Sequence, residues 1–94
     1  MTFLFLSPAE QELIEAIEFY NLQLPELGQA FSKEISQTLK LILDFPLGWQ
    51  KISRHIHKCP LRKFPYLVLY AVEKDSIVIT AIAHQHRHPR SYLD

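Results

Sequence analysis

Three histidines, His84, His86 and His88, alternate near the end of this chain with Arg87 between them. If the last strand extends through them, alternate side chains face one side of the sheet and the imidazoles gather there. Histidine, with an ordinary pKa of about 6.5, can give or take a proton near neutral pH, so this triplet beside Arg87 suits acid–base chemistry. Imidazole also binds zinc. Here no cysteine lies nearby and the only acidic neighbour is Asp94, so the triplet reads as a solvated strand end. No metal and no cofactor are expected. Two basic pairs, Arg62-Lys63 and Arg87/Arg90, flank the same apolar hairpin sequence. That placement lets them meet at one end of a sheet as a surface for an anionic partner. The single cysteine, Cys59, has no acid or base beside it in sequence and reads as inert; alone, it excludes an intrachain disulfide.

Charge is distributed unevenly behind a formal total of zero. Residues 1–49 hold seven acidic and two basic side chains, whereas residues 50–94 hold three acidic, eight basic and all five histidines. The halves therefore carry −5 and +5, a polarity able to orient the molecule toward an anion. The acidic residues are equally explained as exposed helix faces. Ninety-four residues, 48% of them hydrophobic, suffice for one core without disulfides or metal, so a single domain over 1–94 is expected. No apolar run approaches the ~20 residues of a membrane span. Met1 to Leu6 carries no basic residue and ends at Ser7-Pro8, which does not resemble a signal peptide. The expectation is a cytoplasmic protein with no membrane partner.

These groups must be positioned by a small set of elements. Thr2 to Leu6 is a short apolar run suited to a buried strand. Ser7-Pro8-Ala9-Glu10 predicts a helix start, with Ser7 and Glu10 as a capping box and Pro8 in the first turn. Leu13, Ala16, Ile17 and Tyr20 then recur at helical spacing and leave Glu12, Glu15 and Glu18 largely outside, with an end near Asn21. Pro25 is expected to open a second helix, on which Leu27, Phe31, Ile35, Leu39 and Ile42 form one stripe as far as about Leu43. Gly28 allows a close approach of the two helices. Lys51 to Lys63 predicts an interrupted or edge strand, because Pro60 cannot donate to a ladder. Tyr66–Val72 reads as a central strand, and Ile77–Ala83 as its hairpin partner across the polar turn 73–76. Trp49 is expected to cover the end of the helical hairpin. The order β-α-α-β-β-β describes an α+β fold, a helical hairpin packed on one face of a small, mostly antiparallel sheet.

Three stretches, in order and spacing, resemble the RelE/ParE toxin superfamily. They are Ser7-Pro-Ala-Glu with Glu15-Ala-Ile-Glu-Phe-Tyr20; Pro25, Leu27-Gly28 and Phe31; and Leu61-Arg-Lys-Phe-Pro-Tyr66 with Leu69-Tyr-Ala-Val72 and Ala83-His-Gln-His-Arg-His-Pro89. The resemblance covers almost the whole chain. It implies the toxin of a type II toxin–antitoxin pair, a plasmid-stabilising or growth-arresting protein neutralised by a cognate antitoxin. Family members either cleave messenger RNA on the ribosome or inhibit DNA gyrase without nuclease chemistry. Carried over by position, Lys58 and Arg62 correspond to strand cations of the nucleases, Arg87 to a late arginine and Tyr92 to a C-terminal tyrosine; His84 and His86 are candidate acid–base groups. Two basic positions of the nucleases are Pro60 and Leu67 here. Their loss, with the neutral net charge, favours a ParE-like gyrase inhibitor. A ribosome-dependent endoribonuclease, or a non-toxic relative that only binds antitoxin, remains open. Under each reading the antitoxin is a disordered segment that folds over exposed apolar or basic surface.

Overall fold

A computed structural model describes residues 1–86. The order is β1 (Thr2–Phe5), α1 (Ser7–Gln23), α2 (Leu27–Asp44), β2 (His57–Pro60), β3 (Tyr66–Val72) and β4 (Ser76–His84). The strands form one sheet ordered β1-β4-β3-β2, parallel between β1 and β4 and antiparallel elsewhere. This is the expected helical hairpin on a mostly antiparallel sheet; β1, expected to be buried, is instead an edge strand paired on one side only, so its alternate residues Thr2 and Leu4 are exposed.

Both helix starts depart from their expected chemistry. The Leu6 amide still pairs with the Ile79 carbonyl (3.1 Å), so the strand runs directly into the helix. Leu6 is the cap, Ser7 is already helical and no side chain caps the end. Pro25 does not open α2: it lies in the turn closed by the Leu27 amide on the Leu24 carbonyl (3.0 Å), where its fixed φ suits the second turn position. Helix α1 continues to Gln23, two residues past the expected end. Gly28 behaves as expected. It is buried against α1, and a β-carbon there would lie 2.7 Å from the Ile17 carbonyl oxygen, so only a hydrogen fits between the helices.

The core lies between the hairpin and one sheet face. Phe31, Ile35 and Ile42 on α2 and Ala9 and Ala16 on α1 meet Val68, Tyr70, Ile77, Ile79 and Ile82. The inward spacing on β4 is irregular. Leu69 pairs with Ala81 but Tyr70 with Ile79, which leaves Thr80 as the extra residue of a bulge. Its hydroxyl donates to the Leu69 carbonyl (3.2 Å). The bulge turns Ile82 inward after Ile77 and Ile79; strict alternation would have turned Ala81 and Ala83 toward the helices instead.

Strand β2 is an edge strand, as Pro60 requires. The Lys58 amide bonds back to the Gln50 carbonyl (2.8 Å), and Pro60 has no amide to offer, so little of this edge is open to further pairing. The segment before it is tied inward. Tyr70 donates its hydroxyl to the Pro46 carbonyl (2.6 Å), and His57 Nδ1 donates to the Trp49 carbonyl (2.9 Å) while stacking on Tyr70 at 5.1 Å. Trp49 packs on the core edge and directs its indole N–H at the Leu41 carbonyl (3.4 Å), as a cover for the helical hairpin should. Among the described residues no helix is long and apolar enough to cross a membrane.

Candidate functional site

One end of the sheet collects the basic loop and the histidines. The loop from Leu61 to Pro65 joins β2 to β3, and the Gln85 amide reaches its Pro65 carbonyl (2.8 Å) as β4 ends. Tyr66 and His84 are register partners, with ring centroids 5.2 Å apart. Arg62 and Lys63 project from the loop and are exposed. Described residues therefore bring the basic loop to the same sheet end as His84 and His86. Arg87, Arg90 and Tyr92, with His88, lie outside the described residues.

The loop is shaped by Glu34, one of the acidic residues that the sequence alone assigns equally well to an exposed helix face. Glu34 on α2 is only 8% exposed, and one carboxylate oxygen accepts the amides of both Arg62 (2.5 Å) and Lys63 (2.8 Å). Two successive N–H groups form a natural anion seat. Here the chain fills it internally, and the basic side chains are left pointing outward. Glu12, expected among the outer residues of α1, is half-buried instead, and its carboxylate accepts the Ile82 amide (2.9 Å). That amide lies on β4 beyond Ile79, past the last residue to which β1 pairs. Both acids do what no exposed helix face would: they complete hydrogen bonding of distant backbone. The signal in sequence was an acid flanked by stripe residues, Glu34 beside Ile35 above all.

His84 and His86 are together, but not through strand alternation. Strand β4 stops at His84, and a turn brings the His86 ring to 5.0 Å from it. The His86 amide donates to His84 Nδ1 (3.1 Å), which places the proton of a neutral His84 ring on Nε2. His84 also borders a cleft of about 160 Å³ with Glu12, Glu15, Phe19 and Tyr66. Lys58 is elsewhere. It pairs with Leu69 and so lies on the sheet face away from the helices, opposite to the face of Tyr66, Val68 and His84. The two departures from the nuclease pattern are themselves paired. Pro60 faces Leu67 across β2–β3, and Leu67 faces Ala83 on β4, an apolar row where cations would be needed. Among the described residues no three His, Cys, Asp or Glu side chains form a metal-ligand set.

Cys59 is fully buried, and burial raises its thiol from an ordinary 9.0 to about 11. Burial first, and then Cys59, raise Tyr70 to about 12. The folded state thus favours both neutral forms. Their stabilising contribution is complete below the ordinary values and is lost as pH climbs from 9 to about 11 for Cys59 and from 10 to about 12 for Tyr70. Maleimide should leave Cys59 unmodified in the native protein at neutral pH and modify it fully in denaturant. Rapid labelling of native protein would contradict a closed core at β2.

A helical hairpin on a mixed four-stranded sheet, with a basic loop held at one sheet end, defines the RelE/ParE class of small toxins. Residues 3–89 match the family described as the ParE toxin of the type II toxin–antitoxin system parDE. The chain belongs to this ParE toxin family and is a type II toxin, which implies an antitoxin as partner. Among solved structures, one titled the chromosomal ParDE TA system from P. aeruginosa superposes with a TM-score of 0.78 at 17% identity, over 89% of this chain and 95% of that chain. At that identity the likeness concerns the fold alone. No curated protein matches in sequence.

Proposed function

We propose that this toxin acts in the cytoplasm as a ParE-like inhibitor of DNA gyrase, by binding rather than by catalysis, and that its antitoxin blocks the binding. The observation that carries the reading is the Pro60–Leu67–Ala83 row. Cleavage by a 2′-hydroxyl needs cations around the transferring phosphate, and each one absent costs several kcal/mol, on the order of 2.7–4, of transition-state stabilisation. The placement of Lys58 across the sheet from His84 adds to it, since a phosphate held by one is out of reach of the other. Arg62 and Lys63, continued in sequence by Arg87 and Arg90, are the proposed surface for the anionic partner. Induction of the toxin without antitoxin should arrest growth with stalled gyrase cleavage complexes and a DNA-damage response, while transcripts stay intact. Normal supercoiling by gyrase in the presence of saturating toxin would reject the reading.

The endoribonuclease reading keeps one specific support: His84 and His86 adjoin the basic loop. Codon-linked cuts in messenger RNA, abolished by Arg87→Ala, would select it. Harmless induction would leave only the antitoxin-binding role.

A further inference from the structure

No acidic residue occurs between Asp44 and Glu73, and that stretch holds five of the ten Lys and Arg residues of the chain. They are Lys51, Arg54, Lys58, Arg62 and Lys63, and the fold sets them along one sheet edge, that of β2. Before β2 the chain makes a narrow hairpin on its outer side. The Ile52 amide donates to the Ile56 carbonyl (2.8 Å), the Lys58 amide donates to the Gln50 carbonyl (2.8 Å), and Lys51 bridges to His57. Those bonds fix the turn that carries Arg54 and His55, whose side chains are exposed, as is that of Lys51. After β2, Glu34 fixes the loop of Arg62 and Lys63, with its buried carboxylate turned onto their amides. Lys58 stands between the two turns, on the sheet face away from the helices. The strand that separates them spans about 10 Å, at ~3.3 Å per residue. Acids lie elsewhere: seven precede Phe45, and Glu73 and Asp75 fall at the turn between β3 and β4. A chain of zero formal charge thus presents one edge of a single sign.

We propose that this edge, from Lys51 and Arg54 through Lys58 to Arg62 and Lys63, binds the phosphate backbone of duplex DNA. Composition selects the partner. Protein interfaces are depleted of lysine and centre on apolar and aromatic side chains, whereas nucleic-acid interfaces are polar and strongly positive. No Phe, Tyr or Trp lies between Trp49 and Phe64, so the edge offers no such platform for unpaired bases. The contact it suits is to the phosphates of a duplex, which position a protein without reading sequence. The length of β2 matches about three phosphates of one strand, at 3.4 Å of helix axis each. The choice of DNA over RNA rests on the gyrase reading, because gyrase works on duplex DNA. An inhibitor that grips the DNA as well as the enzyme is retained on the complex of the two.

The test measures binding of the toxin to a short labelled duplex DNA by fluorescence anisotropy over a range of salt. Affinity should fall with salt. The double variant Lys51→Ala/Arg54→Ala should bind roughly tenfold more weakly at low salt, with a log–log salt slope shallower by about 2. Lys33→Ala/Lys40→Ala, which removes the same charge from exposed positions of α2, should stay within about twofold of the parent chain. All four side chains are exposed, so thermal unfolding of both variants should match the parent. Equal losses in the two variants would overturn the edge and leave only an effect of net charge. Binding by the parent that is absent or indifferent to salt would also overturn it, and so would tighter binding to RNA, duplex or single-stranded. Supercoiling assays on the same proteins separate the edge from the gyrase reading. Inhibition without DNA binding overturns the edge alone, and DNA binding without inhibition overturns gyrase as the target alone.

Discussion

Phe31→Ala should destabilise the domain by about 3–5 kcal/mol, the range for removing a fully enclosed phenylalanine. Phe31 has no exposed surface, and its ring lies 5.2 Å from Tyr20, 5.0 Å from Phe64 and 5.1 Å from Tyr66. Those three rings belong to α1, the basic loop and β3. A single side chain on α2 therefore joins α1, the basic loop and β3 beside the candidate site. Edge-on aromatic contacts add about 0.5–1.5 kcal/mol each beyond the area they bury. Small domains have roughly 5–15 kcal/mol in total, so the loss would be a large share. Urea unfolding should show the midpoint fall at nearly constant slope, and Phe31→Leu should retain much of the stability because it keeps apolar volume. A midpoint unchanged by the alanine would mean that the ring cluster is not the joint between helix and loop.

Glu34→Ala should have the second largest effect, about 2–3 kcal/mol, for a different reason. The substitution removes few apolar contacts but leaves the Arg62 and Lys63 amides without their acceptor. Bonds to an ionised group are the stronger kind, worth about 1.5–3 kcal/mol each, and partial access of water to a loop offsets some of the loss. Amide exchange at Arg62 and Lys63 should accelerate strongly, whereas the amides of the central strand should slow or hasten only with global stability. Glu34→Gln keeps one carbonyl oxygen and should fall between the two. Equal exchange at both amides in all three proteins would show that Glu34 does not hold the loop.

The helices, the strand order along the chain and most of the core were legible before any coordinates. Phe31, Ile35 and Ile42 follow a period of 3.6, Tyr66–Val72 is dense in β-formers, and Pro60 marks an edge; each is a local property of neighbouring residues. The family was legible too, because its landmarks are short local stretches of α1, α2, β3 and the loop before β3, in the family's order and spacing. Arg62 and Lys63, expected within an interrupted or edge strand, lie instead in the loop after β2, because the strand ends at Pro60.

The departures have one physical origin. Whether Ser7 caps a helix depends on whether Leu6 is still bound to Ile79, seventy-three positions along the chain in either reading of the sequence. The Thr80 bulge depends on which face of β4 the helices cover. Glu12 and Glu34 were read as helix-surface acids because nothing near them in sequence reveals an unpaired amide at Ile82, Arg62 or Lys63. Lys58 and His84 have similar sequence credentials, yet pairing puts them on opposite faces. By itself the sequence determined the elements, their order and the toxin family. Only the tertiary structure decided which polar groups meet, because a hydrogen bond to distant backbone is set by register and packing and leaves no periodic trace in the chain.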